Sequence, residues 1–478
     1  MKAPLTIALA GHANVGKTSL VSALTRDASL LVAEKPGTTT SHYIKTFSIA
    51  GEAVLSFVDT PGFEYSSKIN RWLDERGGVG SDRLDGRAAI ELFLADPDVH
   101  ARHVTEKEAL RGVLASDVVA YVADVTEDPT GQNIQEVRLL RRAGVPMIAV
   151  LNYLAEGAST PQVWRDMLNR EGIDAIVLLD AMRFPADQER DFYGALRVLR
   201  PEHAAAFDRI SALRTTLGEQ NLRRAAVVIA EMLVDALSFR HVTTHPDPGE
   251  AKRYRSTANH RFKEQLRERE RACFAELASL YGHGDAAIGA ASLDVQSWSG
   301  EVTDDLFDAE AIKRYGVSAG TLAAIGAVTG SLVDGVGGLG FGTVIGGGLG
   351  LAAGLMLGRR VSTRVDGDVL TVGPVDAVQF PSVLLNRALD CWRQVAERSH
   401  ANRSALEIRA TEPARLDVMG VRGLNKHARK CSKRPEWSRI GGRSVPPERG
   451  GAVTALAEVA ESLLRKQLVS DEPPEPAR

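Results

Sequence analysis

The sequence predicts an α/β fold, a parallel sheet between two helical layers, followed by a mainly α-helical C-terminal region. Three observations carry this. Over residues 1–200, short apolar runs alternate with helical periodicities, as in a parallel sheet covered on both faces. The first run leads into a glycine-punctuated loop and then a helix, the order that holds phosphate at the carboxyl end of a strand. Beyond residue 203 the alternation gives way to long helical repeats.

Residues 5–10 form an unbroken, mostly apolar run and read as a buried strand. Gly11-His12-Ala13-Asn14-Val15-Gly16-Lys17-Thr18 follows, a full G-x-x-x-x-G-K-[ST] loop of the P-loop NTPase class. A helical pattern then runs over 18–27. Backbone N–H groups in such a loop face phosphate oxygens at the positive end of a helix. Gly11 and Gly16 permit the turn, Lys17 reaches the β- and γ-phosphates, and the Thr18 hydroxyl holds Mg²⁺. With Ser19 next in line, residues 11–19 are the expected phosphate-binding set. The β-prone run 54–58 ends in Asp59-Thr60-Pro61-Gly62. A strand that delivers an aspartate beside the loop supplies the Mg²⁺-water element. Gly62 can bring a backbone N–H close to a γ-phosphate. Between these motifs lies Pro36-Gly37-Thr38-Thr39-Thr40, where Thr39 is the favoured residue to complete the Mg²⁺ shell while triphosphate is bound.

The alternation continues with strands over 117–124, 145–152 and 175–180 and helices over 134–142 and 164–170. The motif residues fall at strand ends or in the loops that follow, where ligands of open parallel sheets sit.

On residues 11–18, Gly37-Thr38-Thr39 and 59–62, in order and at ordinary spacing, the first 200 residues resemble the Era-like branch of the translation-factor-related GTPases. The rest resembles Era-like bacterial GTPases that carry a C-terminal domain of unknown function. That second resemblance rests on a glycine-spaced segment and on Leu384-Leu385-Asn386-Arg387-Ala388-Leu389 before Arg398-Ser399-His400-Ala401. The resemblance implies a small-GTPase-like sheet, GTP and GDP as ligands, Mg²⁺, and slow GTP hydrolysis as a switch. The family reads guanine with Asn-Lys-x-Asp. Here Asn152 matches, Tyr153 stands for the Lys, Ala155 stands for the Asp, and Glu156 comes one residue late. Tyr153 can still stack near the base. Asp180-Ala181-Met182 partly resembles the Ser-Ala-Lys loop, with the Ala181 N–H offered to the guanine oxygen. Guanine is the expected base, with relaxed or adenine preference the alternative. Phe63 stands where many GTPases orient water with Gln. Asn14 implies a K⁺ ion that supplies positive charge, unless it only stabilises the loop. Lys17, Asn14 and Gly62 are the expected catalytic set.

The chain has 478 residues, 44% hydrophobic and 25% charged, enough for two or three domains with their own cores. A net charge of −3 gives no global drive toward nucleic acid. Cys273, Cys391 and Cys431 have no metal-ligand spacing and read as reduced cytosolic thiols. No signal peptide is expected ahead of the first strand.

Residues 78–105 read as a charged insertion in a solvated loop. His100 and His103 are not expected to hold metal. Residues 203–283 read as a helical hairpin or stalk, with 253–271 an exposed, charge-laced helix. Between 316 and 360, glycines at 326, 330, 338, 342, 346, 350, 354 and 358 keep a four-residue register broken at Asp334. Such spacing makes a poor helix in water and suits close helix packing in lipid. The segment reads as a membrane hairpin flanked by Lys313, Arg314, Arg359 and Arg360. A soluble glycine zipper and a linker are the alternatives, and the packed readings allow self-association. A short hairpin around Asp366-Gly367-Asp368 and an amphipathic helix over 380–397 follow. Residues 426–449 read as a basic, solvated tail, with anionic lipid or RNA as candidate ligands. Gly420-Val421-Arg422-Gly423 faintly resembles an RNA-binding Gly-x-x-Gly loop. Residues 471–478 read as disordered.

The expected domains are a GTPase domain (1–200), a helical stalk (203–315), a glycine zipper (316–360), a hairpin with a helix (361–411) and a basic tail with a terminal helix (412–478). The expected function is a GTP-hydrolysing switch at the cytoplasmic face of the inner membrane. The alternatives are an RNA- or ribosome-associated assembly GTPase, with nucleic acid a less favoured partner, and a nucleotide-binding scaffold.

Overall fold

A computed structural model describes residues 4–25, 33–36, 43–76, 85–100, 103–154, 161–183, 186–244, 251–283, 361–375, 379–399 and 418–470. They form two compact units, Met1–Thr216 with Glu397–Arg403, and Leu217–Ala396 with Ser404–Arg478.

The first unit contains the strands β1 (Leu5–Ala10), β2 (Ala33–Pro36), β3 (Tyr43–Ile49), β4 (Glu52–Asp59), β5 (Val118–Asp124), β6 (Met147–Asn152) and β7 (Ile176–Leu178). Its helices are α1 (Lys17–Leu24), α2 (Ser66–Arg76), α3 (Gly86–Ala95), α4 (Pro97–His100), α5 (Val104–Leu114), α6 (Gly131–Arg142), α7 (Pro161–Arg170) and α8 (Ala186–Leu199). The strands form one sheet in the order β2-β3-β4-β1-β5-β6-β7. β4, β1, β5, β6 and β7 are parallel, while β2 and β3 add an antiparallel edge. Period-2 geometry sends Leu5, Ile7 and Leu9 into one face and Ala8 and Ala10 into the other, and both faces are buried. The predicted three-layer parallel architecture is therefore present, with the phosphate-loop residues directly after β1.

The charged stretch 78–105 differs from its loop reading. α3 and α4 lie within it, and Ala89, Ile90 and Phe93 join the core. Asp85 caps α3 by accepting the Ala88 N–H at 2.7 Å. Charges on the outer face masked the inward stripe. His103 packs edge-on to Tyr65 at 5.8 Å rather than standing in solvent.

The second unit begins within α9 (Ala204–Ser238) and continues through β8 (His241–Thr244), α10 (Ala251–Leu280), β9 (Val361–Asp366), β10 (Val369–Val375), α11 (Phe380–Ala396), α12 (Val418–Cys431) and α13 (Arg449–Ser470). The predicted hairpin is β9–β10, and β8 completes an antiparallel sheet in the order β8-β10-β9. α11 is more buried than an amphipathic helix would be, with every side chain from Phe380 to Trp392 inside. α10 is not simply exposed, because Phe262, Leu266 and Cys273 lie in the core and Glu270 pairs with Arg387 at 2.6 Å. The basic stretch is no free tail. α12 buries Val421, Leu424, Ala428 and Cys431, and Trp437 and Ile440 are also inside. Gly420 and Gly423 fall within α12, so Gly-Val-Arg-Gly is helix and not a loop. Among the described residues no helix is long and apolar enough to cross a membrane. Residues 316–360, 471–478 and Thr39 lie outside them.

Candidate functional site

The phosphate loop joins β1 to α1. Gly16 caps α1 at φ 89°, and Gly11 sits at φ 145°, both in backbone regions that favour glycine. A Cβ on Gly11 would fall 2.4 Å from Val122 O, and one on Gly16 would fall 2.4 Å from Asn152 Nδ2 and 2.6 Å from the Tyr153 hydroxyl. Asn14 takes a left-handed turn at φ 64°, and its exposed side chain makes no hydrogen bond among the described residues. Ala13 meets Gly62, where a Cβ would stand 2.6 Å from Ala13 N.

Lys17 is buried, and its ammonium donates to Gly11 O at 3.2 Å and His12 O at 2.6 Å. An ammonium has three protons, so one remains for an anion. Burial lowers the Lys17 pKa, partly opposed by Asp59 and Glu136. At the end of β4, Asp59 Oδ2 accepts the Thr18 hydroxyl at 2.5 Å. Burial raises the Asp59 pKa, with the Thr18 hydrogen bond and Lys17 acting the other way. A hydroxyl and a carboxylate in contact are hard oxygen donors of the kind Mg²⁺ takes. Phe63 N donates to Gly11 O at 3.2 Å, while its ring is wholly buried.

On the far side, Asn152 links two loops. Its Nδ2 donates to Val15 O at 2.9 Å, and its Oδ1 accepts the Ala181 N–H at 2.8 Å. The N–H that was expected to meet a base oxygen is therefore engaged within the protein. The next one, Met182 N, donates to Asp180 Oδ1 at 2.8 Å. Tyr153, at φ 60°, reaches back over Gly16 and hydrogen-bonds Ser19. Its hydroxyl pKa is raised by burial and by Asp124. Residues 155 and 156 lie outside the described set.

The sequence reading missed two features. Glu136 on α6, wholly buried, meets His12 Nδ1 at 2.9 Å. Ser399 N donates to Met182 O at 3.3 Å, and Arg398 bridges Arg183. Only the odd His in the loop could have signalled the first. Contacts spanning more than 200 residues leave no local signal for the second.

A family described as "Domain of unknown function (DUF3482)" matches residues 165–458, well over half the chain. The chain belongs to the DUF3482 family. In this DUF3482 chain a second family, "50S ribosome-binding GTPase", matches residues 6–153. GTPase Era of Acidimicrobium ferrooxidans is 36% identical over 124 residues, covering 25% of this chain and 39% of its own length. GTPase Der of Azoarcus sp. is 28% identical over 197 residues, covering 38% of this chain and 37% of its own. The chain thus spans about two fifths of the length of these two curated relatives. Among solved structures, the G domain of the T. maritima FeoB iron transporter matches at 22% identity and TM-score 0.24, covering 42% of this chain and 99% of that one. Era in complex with MgGDPNP and nucleotides of 16S ribosomal RNA matches at 17% and TM-score 0.28, covering 52% and 75%. An Era/Der-like P-loop GTPase domain thus precedes a DUF3482 domain.

Proposed function

We propose that the first unit binds a guanine nucleotide with Mg²⁺ and slowly hydrolyses GTP. Water adds to the γ-phosphorus, the bond to the β–γ bridging oxygen breaks, and GDP and phosphate leave. The observation that carries this is Lys17, held by the Gly11 and His12 carbonyls beside the contacting Thr18 and Asp59 oxygens. Lys17 and the loop N–H groups bind and orient the phosphates. Gly62, close against Ala13, offers an N–H to the γ-phosphate. Thr18, Asp59 and Thr39 would hold Mg²⁺. When bound, Mg²⁺ neutralises charge on the phosphate oxygens. Asn14, its side chain unbonded, is the residue toward which K⁺ would supply further positive charge. Asn152 positions both loops, Tyr153 offers its ring to the base, and Asp180 and Ala181 shape the pocket's far wall.

Lys17→Ala in the full chain is expected to lower GTP turnover at least about a hundredfold. K⁺ in place of Na⁺ is expected to raise wild-type turnover. Lys17→Ala turnover equal to wild type sinks the reading.

Residues 316–360, with their glycine spacing and basic flanks, support contact with the cytoplasmic face of the inner membrane and association between copies. A second reading, an RNA-associated GTPase, is favoured by one observation. Lys426, Arg429, Lys430 and Lys433 on and after α12 are exposed, and no acidic residue lies on that helix.

A further inference from the structure

Glu136 lies beneath the phosphate loop. Its side chain is wholly buried and is met by His12 Nδ1, 2.9 Å from Oε1, by the Tyr121 hydroxyl, 3.1 Å from Oε2, and by the Gln132 side chain one turn earlier on α6. Asn133 donates to the same hydroxyl at 3.4 Å. An apolar residue would fill this space without the desolvation cost of a carboxylate. A carboxylate is useful here because of what it holds. The His12 carbonyl is the nearer acceptor of the Lys17 ammonium, at 2.6 Å. Fixing the His12 side chain from below fixes the peptide that orients Lys17.

The same helix reaches the segment after Gly62. Gln132 Nε2 donates to Glu64 O at 3.1 Å. Asn70 Nδ2, on α2, donates to Gln135 O at 2.8 Å and Gln135 Oε1 at 3.0 Å. Gln132, Gln135 and Glu136 stand at i, i+3 and i+4, neighbouring positions on α6. One helix side therefore touches both the phosphate loop and α2.

We infer that His12 and Glu136 are positioning residues, whose contact sets the Lys17 ammonium and couples the phosphate loop through α6 to α2. This rests on the nucleotide reading above. Neither side chain acts on the nucleotide itself.

The test uses the full chain as wild type, His12→Leu, Glu136→Leu, the double variant and the conservative Glu136→Gln. Steady-state GTP hydrolysis is measured beside hydrogen exchange of residues 66–76 and 131–142, with GDP or a non-hydrolysable GTP analogue. The expected wild type shows analogue-specific protection in 66–76. Each Leu variant loses that difference and drops kcat about tenfold. The double variant is no worse than either single one, as a shared contact requires, and Glu136→Gln, which keeps an acceptor for His12, recovers part of both. His12→Leu changes a half-exposed residue and keeps the test open if Glu136→Leu fails to fold. Wild-type kcat and protection in His12→Leu overturn the inference alone. A wild-type chain that binds no guanine nucleotide overturns the reading beneath it and the inference with it.

Discussion

Gly62 and Asn152 show at the residue scale how tightly the loops around the phosphate site are set. The Ala13 backbone leaves no room for a Cβ on Gly62, with N at 2.6 Å and Cα at 2.7 Å. Gly62→Ala must push two backbones apart and is expected to cost about 1–3 kcal/mol of stability, read by urea unfolding. An unchanged midpoint would mean that the loops give way freely. Asn152 is wholly buried and holds Val15 O and Ala181 N together. Asn152→Ala leaves both groups unpaired and is expected to cost about 1–3 kcal/mol in the same assay, along with weaker nucleotide binding. Loop residues were legible in the sequence because spacing alone defines them: glycine at 11 and 16, lysine at 17, an aspartate at a strand end. Ala181 was not, because which acceptor its N–H meets depends on where Asn152 lands after folding.

At the scale of elements, the second unit is organised by buried charge as well as by apolar packing. Asp235 on α9 is fully buried and accepts from Arg269 at 2.8 Å, Arg449 at 2.9 Å and the Arg439 backbone N–H at 3.0 Å. Arg439 also reaches Glu231 at 2.7 Å. α9, α10 and the segment leading into α13 thus meet on one carboxylate. Burial alone would raise its pKa, but the Arg269 and Arg439 hydrogen bonds and the charges of Arg269 and Arg449 outweigh it and hold Asp235 below its ordinary 3.8. The folded chain therefore binds this proton more weakly than the unfolded chain does. The contribution is full above about pH 4 and is lost as pH falls through the depressed value. Asp235→Asn is expected to cost about 3–5 kcal/mol at pH 7, because buried arginines lose their counter-charge. The loss should shrink as the pH is lowered toward 3, and a pH-independent difference in urea midpoints would argue against the charge. None of this was legible, since partners 34, 204 and 214 positions from Asp235 leave no periodic trace. The hairpin β9–β10 was legible because Asp366-Gly367-Asp368 marks its turn. β8, only four residues long, has no pattern to find without β10.

The whole chain joins a P-loop GTPase fold to a DUF3482 domain, and the proposed membrane contact turns on the sequence of residues 316–360. Their composition is opposed to a helix in water, since each glycine costs about 1 kcal/mol relative to alanine. On a helix, eight glycines in four-residue register would share a small face on which backbones could close. A span needs about 20 residues, and residues 335–358 supply that length, with Arg359 and Arg360 after them and Lys313 and Arg314 before the segment. Basic residues on both sides of a hairpin keep both ends on the cytoplasmic side. The full chain is therefore expected to stay in the membrane pellet through alkaline carbonate, and a version lacking 316–360 to be released while still binding nucleotide. Release of both would place the glycine register inside the protein, where helices pack on helices or on copies of themselves. The exposed lysines and arginines of α12 would then be the surface on which to seek an RNA. Retention of both would move the membrane contact to another part of the chain and leave the glycine spacing without its proposed role.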